Sequence, residues 1–415
     1  MITKEEKNLL KKLAEQVKEI ASLPVQRERV QLIKDLNSLK AERPVVLAEP
    51  EGGWVDLVPE SRLVCKHNPQ REWERELRRS IARFQYIPAD NPITDELKVL
   101  WIVNVSDLGV KTKFIGRQAF DQRYGSLTWN APIKKFSDLK KLKFPEIEID
   151  RAKTLKHVDL AKELFGDTLT VVKKFPLWWS YGLTERLIYL RGLEQTMYDM
   201  YENPSLLHEL MLFLRDEALY ELEIYEREGL LTLNNGAADI VTNGRGATDE
   251  LPADDFSGQV RLKDLWVMAE SQEFTGVGPD KFYEFALQYQ IPIIKRFGLC
   301  AYGCCEPLDY KYDVIIKDIP NLRRISVAPK ANRKLAAEKI GDRFIYAWKP
   351  DPTTICSPRE DLPRAEKMIS ETLEITRDCH LQIMLADTMT FYGEPERLTR
   401  WIQLANKLIA EHYKC

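Results

Sequence analysis

Phe297-Gly-Leu-Cys-Ala-Tyr-Gly-Cys-Cys-Glu-Pro-Leu-Asp309 is the stretch from which the fold and the chemistry are read. It holds Cys300, the pair Cys304 and Cys305, the carboxylate of Glu306, and a proline that stops what precedes it. The run Ile291–Leu299 before it is short and apolar, and reads as a buried strand. The Gly303–Pro307 end then falls where that strand exits. Two soft thiolates and a hard carboxylate at a strand end are the makings of a zinc site. The competing reading is plain: buried cysteines pack as small hydrophobes. An ionised Glu is seldom buried without a partner, which weighs for the site.

Outward from this stretch the chain alternates. Val99–Val105, Leu169–Val172 and Gly236–Gly244 read as strands or strand-like units. So do Leu265–Gln272, Leu322–Ala328, Arg343–Trp348 and His380–Leu385. Helical patterns lie between the later ones. Asn203-Pro204 signals a helix start, with Asn as cap and Pro in the first turn, and Gly229 ends that helix. Arg43–Ala48 reads as a first strand. Short loops between strand and helix imply parallel strands with helical crossovers. The expected fold is α/β: a (β/α)₈ TIM barrel over residues 43–415 with an N-terminal helical extension over 1–42. An open doubly wound sheet is the alternative, but no glycine-rich dinucleotide fingerprint supports it.

Composition bounds the rest. The 415 residues carry a net charge of −3, from 61 basic and 64 acidic side chains, so no bulk attraction to nucleic acid is implied. Seven scattered cysteines form no secreted framework, and a reducing cytoplasm is the expected setting. The charged N-terminus is not a signal peptide, and no apolar run is long enough to span a membrane. A homodimer is compatible with this composition.

Active sites of barrels gather at the C-terminal ends of strands. The polar residues expected there are Glu49, Glu51, Asp239, Asn243, Gln272, Glu273, Cys304–Glu306, Lys349, Asp351 and Asp387. Glu49, Asp239, Asn243 and Gln272 are the candidates for catalysis. Turn-forming Asp and Asn are common at strand ends, and a structural Gln is equally ordinary. Trp54, Trp178, Trp179, Tyr181 and Trp348 are candidates to hold an aromatic substrate by stacking, against the bland alternative of core packing.

Four stretches together resemble the uroporphyrinogen decarboxylase superfamily, and within it the corrinoid-linked methyltransferases. They are Arg191-Gly-Leu-Glu-Gln195 with Asp199 and Glu202-Asn-Pro204; Cys304-Cys-Glu306; Asn321–Pro329; and Gly393-Glu-Pro-Glu-Arg397. The resemblance covers residues 160–412 well and the first 150 loosely. The decarboxylases open with PVWxMRQAGRY; here Pro44–Trp54 occupies that stretch, with Glu49 and Gly53 at the arginine positions. A glutamate there repels a polyanionic porphyrinogen, which argues against tetrapyrrole decarboxylation.

The methyltransferases hold zinc through His-x-Cys and a later Cys. Cys305 matches the first Cys, Gly303 replaces the His, and counting back nine residues from Glu396 puts Asp387 at the later Cys. The resemblance thus implies a rebuilt zinc site of Cys305, Glu306 and Asp387, with Cys304 in reserve. Cys305 and Glu306 reach one metal only if the strand has ended or bulged, because neighbours on a regular strand face opposite ways. The implied reaction is zinc-assisted methyl transfer from a small donor, an aromatic methyl ether among the candidates. The acceptor is a corrinoid carried by a partner protein, since no side chain matches that nucleophile. A metal-free decarboxylase or lyase of the same fold, and a non-catalytic ligand-binding homologue, are the alternatives.

Overall fold

The computed structural model describes residues 2–116, 127–177, 179–241 and 244–413. Among them eight parallel strands carry the fold. These are β1 (Val45–Ala48), β2 (Glu96–Leu100), β3 (Thr170–Lys174) and β4 (Trp266–Ala269), then β5 (Leu299–Tyr302), β6 (Leu322–Val327), β7 (Ile345–Trp348) and β8 (His380–Leu385). They form two ladders, a six-stranded sheet in the order β1-β8-β7-β6-β5-β4 and a separate pair β2-β3. All of these pairings are parallel. No barrel closes among the described residues: β1 does not pair with β2, nor β3 with β4.

The physical reason lies at the two sheet edges. A strand edge exposes N–H and C=O groups that must find partners. On β4 the side chain of Asn234 supplies both, accepting from Trp266 N at 2.9 Å and donating to Trp266 O at 2.9 Å. Tyr181 N donates to Met268 O at 2.7 Å. On β1, Asp90 accepts from Val46 N at 2.8 Å and Asn91 from Ala48 N at 2.9 Å. Arg43 holds Asp90 in place with two further bonds. Side chains finish both edges where strands were expected.

Both faces of the six-stranded sheet are covered, as a parallel sheet requires. Val46, Tyr346, Trp348, Ile383 and Leu385 join the main core with the crossover helices. Val45, Leu47, Ile345, Ala347 and Met384 face the other way, against Ile33 and Leu36 and against Ala247. Ile33 and Leu36 belong to helix α2 (Pro24–Asn37), which follows α1 (Lys4–Ser22). Helix α1 starts on a capping box of Thr3 and Glu6. Its Leu10, Leu13 and Val17 share a second core with Leu97 and Val99 of β2. Trp73 and Leu77 of helix α3 (Gln70–Tyr86) join the same core.

The apolar run at Ile291 corrects the sequence reading. Gln288–Ile294 is helical, with Pro292 inside it, and the strand is Leu299–Tyr302. A short apolar run fits a strand or a buried helix equally by pattern. The missing Pro292 N–H falls just after a π-helical turn, Tyr283–Leu287, where the hydrogen-bond register has already slipped. Gly236–Gly244 also departs from the reading. Its described part gives only a two-residue strand, Ile240–Val241, bridged antiparallel to Gly244–Arg245. Asp239 before it is gripped by Lys98 of β2 and Lys174 of β3 at 3.0 and 2.9 Å. No helix among the described residues is long and apolar enough to cross a membrane.

Asn234→Ala removes the partners of one buried N–H and one C=O on β4. Urea unfolding of this variant is expected to show a loss of about 2 kcal/mol; an unchanged midpoint would contradict the edge-capping account.

Candidate functional site

Strand β5 ends at Tyr302, and Gly303 turns the chain with φ +91°. A Cβ there would lie 2.9 Å from Leu308 Cδ1 and 3.1 Å from Ser326 Cβ. The left-handed backbone and these contacts account for a glycine at this position rather than a histidine. Beyond the turn, neighbouring side chains part company. Glu306 folds back and is 1% exposed. Its Oε1 accepts from Ser271 N and its Oε2 from Cys304 N, each at 2.9 Å. It ties the end of β4 to the turn after β5. Burial lifts its carboxyl above the ordinary range, against the pull of those backbone donors.

Cys304 and Cys305 face the other way, where three strands meet. Their sulfurs lie 3.4 Å apart. Lys349, at the end of β7, places Nζ 3.5 Å from Cys304 Sγ, 3.4 Å from Cys305 Sγ and 3.5 Å from Asp387 Oδ2. Asp387, just past β8, lies 3.5 Å from Cys305 Sγ through Oδ2. Its backbone N donates to Glu51 Oε2 at 3.0 Å, which brings in the loop after β1. Asp387 and Glu51 both have positive φ, at 57° and 47°, a strained conformation for such residues.

The electrostatics divide the two thiols. The hydrogen bond from Cys304 is the main influence holding the Cys305 thiol below its ordinary value; burial opposes it and Lys349 assists it. The same bond, and then burial, push the half-buried Cys304 up. Ionisation is thus favoured at Cys305 over Cys304. Burial disfavours the Lys349 charge, but the two sulfurs and Asp387 outweigh it and hold the ammonium above its usual range. Glu51 is exposed along part of its length, but desolvation of its carboxyl against the rim, then the nearby Asp387, push it up to about 7.

Zinc does not fit this arrangement. Ligand atoms around one tetrahedral zinc sit roughly 3.5 Å apart, so the spacing of the sulfurs and the carboxylate suits a cation. The cation in contact with all of them is the Lys349 ammonium, which a zinc ion would have to displace. Glu306, expected as a ligand, is committed to two backbone N–H groups. Among the described residues no three His, Cys, Asp or Glu side chains are disposed to hold a metal ion.

The remaining candidates scatter. Glu49 accepts from Trp54 Nε1 at 3.1 Å, from Arg83 at 3.0 Å and from Arg245 at 3.2 Å. It lines a cavity together with Trp54. Asp239 is spent on its two lysines. Gln272 lies in a short 3₁₀ turn, where its backbone N donates to Glu270 at 2.7 Å. Trp179 is half-buried. Tyr181 and Trp348 are buried in the main core, Tyr181 against Phe297 and Trp348 beneath Arg333, so neither offers a face to a substrate at the thiols. Asn243 and Trp178 lie outside the described residues. Sequence reasoning placed Lys349 and Glu51 on the rim without giving them a role, and it missed Arg83 and Arg245. Alternation offered one signal: if Lys349 faces the thiols, Trp348 beside it must face the helices.

No family model matches this chain, and no curated protein is similar to it in sequence. Among solved structures it is similar to a methyltransferase from Methanosarcina mazei, with 14% identity and a TM-score of 0.47, over 90% of this chain and 97% of the other. At that identity and score the likeness decides neither the fold nor the reaction.

Glu51 binds its proton more tightly folded than unfolded. Its contribution to stability is therefore fully present below about pH 4.5 and lost as pH rises through about 7. Glu51→Gln removes that loss. Melting temperatures of the variant and the parent are expected to differ little at about pH 5 and to favour the variant at about pH 8; an equal difference at both would contradict the assignment.

Proposed function

We propose that this chain is a group-transfer enzyme that moves a methyl group from a small oxygen or nitrogen donor, and that its reacting group is the Cys305 thiolate. The contact of Lys349 with both sulfurs and Asp387 carries this reading, because it supplies what a nucleophilic thiolate needs: a fixed positive charge beside a partly exposed sulfur. The choice of methyl rests on the resemblance of Arg191–Pro204, Cys304–Glu306 and Gly393–Arg397 to the methyltransferases. We read the eight strands as a (β/α)₈ barrel held open at two seams, with the thiols at its C-terminal rim.

In the step, a lone pair of Cys305 Sγ forms the new S–C bond as the bond between the methyl carbon and the donor's oxygen or nitrogen breaks. The leaving atom takes the proton of Glu51, whose carboxyl stays protonated to about pH 7. The hydrogen bond from Cys304, assisted by Lys349, favours the ionised sulfur, and Asp387 holds Lys349 in place. When the methyl is passed on, the same lysine stabilises the thiolate that leaves. The proposed final acceptor is the reduced corrinoid of a separate protein, a stronger nucleophile than the thiolate, which would take the methyl group from the Cys305 thioether. Aromatic ethers lose their special standing as donors, since Tyr181 and Trp348 point into the core.

The test is peptide mass spectrometry after incubation with methyl-deuterated methanol, methoxybenzoate and trimethylamine. Label is expected on Cys305 with one of these donors, and absent in Cys305→Ala. Label on no cysteine with any of them, in folded protein, would count against the thiolate step. With iodoacetamide as a general probe, Cys305 is expected to react first among the cysteines near neutral pH. Lys349→Met is expected to slow it by about tenfold, the effect of raising a thiol pKa by roughly one unit. An unchanged rate in Lys349→Met would remove the lysine from the account.

A further inference from the structure

A second group of charges lies apart from the thiols, in the seam between β1 and β2. A cavity of about 350 Å³ opens there. One side is apolar, with Trp54, Leu77, Ile93, Leu97 and Ile240 among its lining. The other side is cationic. Arg83 and Arg245 share one carboxylate, Glu49. Lys98 shares one carboxylate, Asp239, with Lys174. Arg79 pairs with the exposed Glu76 at 2.9 Å. Five cations, each at most about one-third exposed, thus meet the largely buried Glu49 and Asp239 and the exposed Glu76. Glu96 also lines the cavity, but it is exposed, and solvent screens it. Burial lowers the Arg245 guanidinium to about 10; the attraction of Glu49 opposes it, and repulsion from Arg83 adds a smaller part.

Two donors are also left over. The Nε–H groups of Arg79 and Arg83 are buried and have no acceptor among the described residues. They sit one helical turn apart on α3, and both guanidinium groups lie over the Trp54 ring, at 5.3 and 5.1 Å. A buried N–H without an acceptor is costly, and both side chains line the cavity, so their guanidinium groups form an electropositive wall that the nearby carboxylates leave incompletely neutralised.

We propose that this cavity binds a small organic anion, its carboxylate beside the Arg79 and Arg83 guanidinium groups and its apolar body against Trp54, Ile93 and Leu97. A bare ion would leave the apolar wall unfilled. None of Cys304, Cys305, Lys349, Asp387 or Glu51 lines the cavity, so the site is separate from the thiols and does not rest on their chemistry. The loop after β1 joins the two places. Glu49 and Trp54 line the cavity, while Glu51 between them reaches the backbone of Asp387.

Isothermal titration of the whole chain tests this with three probes: benzoate, inorganic phosphate, and benzyl alcohol as the neutral match in shape. Benzoate is expected to bind, benzyl alcohol to bind far more weakly, and Arg83→Gln to weaken benzoate by about tenfold or more. Arg79→Gln leaves the Glu49 pairs untouched and is expected to weaken benzoate as well, which separates loss of binding from loss of fold. Benzyl alcohol binding as tightly as benzoate, phosphate binding as tightly as benzoate, no binding by benzoate, or benzoate affinity unchanged in Arg79→Gln would each overturn the proposal.

Discussion

A lysine ammonium that is 4% exposed must be surrounded by negative charge, and Lys349 gathers it from separate strand ends. Cys304 and Cys305 come from the end of β5 and Asp387 from the end of β8. Glu51, after β1, accepts from the backbone of Asp387. The rim is thus organised around one cation that the chain supplies itself. Removing that cation would leave the Cys305 sulfur and the Asp387 carboxylate 3.5 Å apart, able to stay together only through an S–H hydrogen bond that keeps the thiol protonated.

The turn after β5 makes this possible by separating neighbours. Gly303 lets the chain leave the strand, so the sulfurs go to Lys349 while Glu306 goes beneath them to the backbone of Ser271 and Cys304. A carboxylate fixed by two N–H groups is an anchor rather than a ligand. The same division of labour appears at Glu49 and Glu51, where one turns to the arginines of the seam and the other to Asp387. The short antiparallel pair of Ile240–Val241 with Gly244–Arg245 and the side-chain caps from Asn234, Asp90 and Asn91 hold the two ladders apart. In doing so they leave the seam in which the excess of positive charge collects.

Much of this was legible in the sequence, for identifiable reasons. Leu322–Ala328, Arg343–Trp348 and His380–Leu385 are β-rich runs between strong helical patterns, and each contains a strand. Ile291–Leu299 misled because its apolar pattern has no period to separate strand from helix. The open seams could not be read, since they depend on Asn234, Asp90 and Asn91 reaching strands distant in sequence. The rim residues were legible as a set because strand ends are. Their roles were not, because the direction of Glu306 follows from one backbone angle at Gly303, and the place of Lys349 is a tertiary contact. The burial of Trp348 followed from alternation once Lys349 was given a direction.

The central claim is that Lys349, and not zinc, is the cation among the sulfurs. Metal analysis of the chain, purified without chelator and after dialysis against excess zinc, tests it most directly. The account predicts well under one zinc per chain in the parent, and zinc taken up at the thiols only when Lys349→Ala vacates the position. One tightly held zinc per parent chain, lost in Cys305→Ala and in Asp387→Ala, would contradict it.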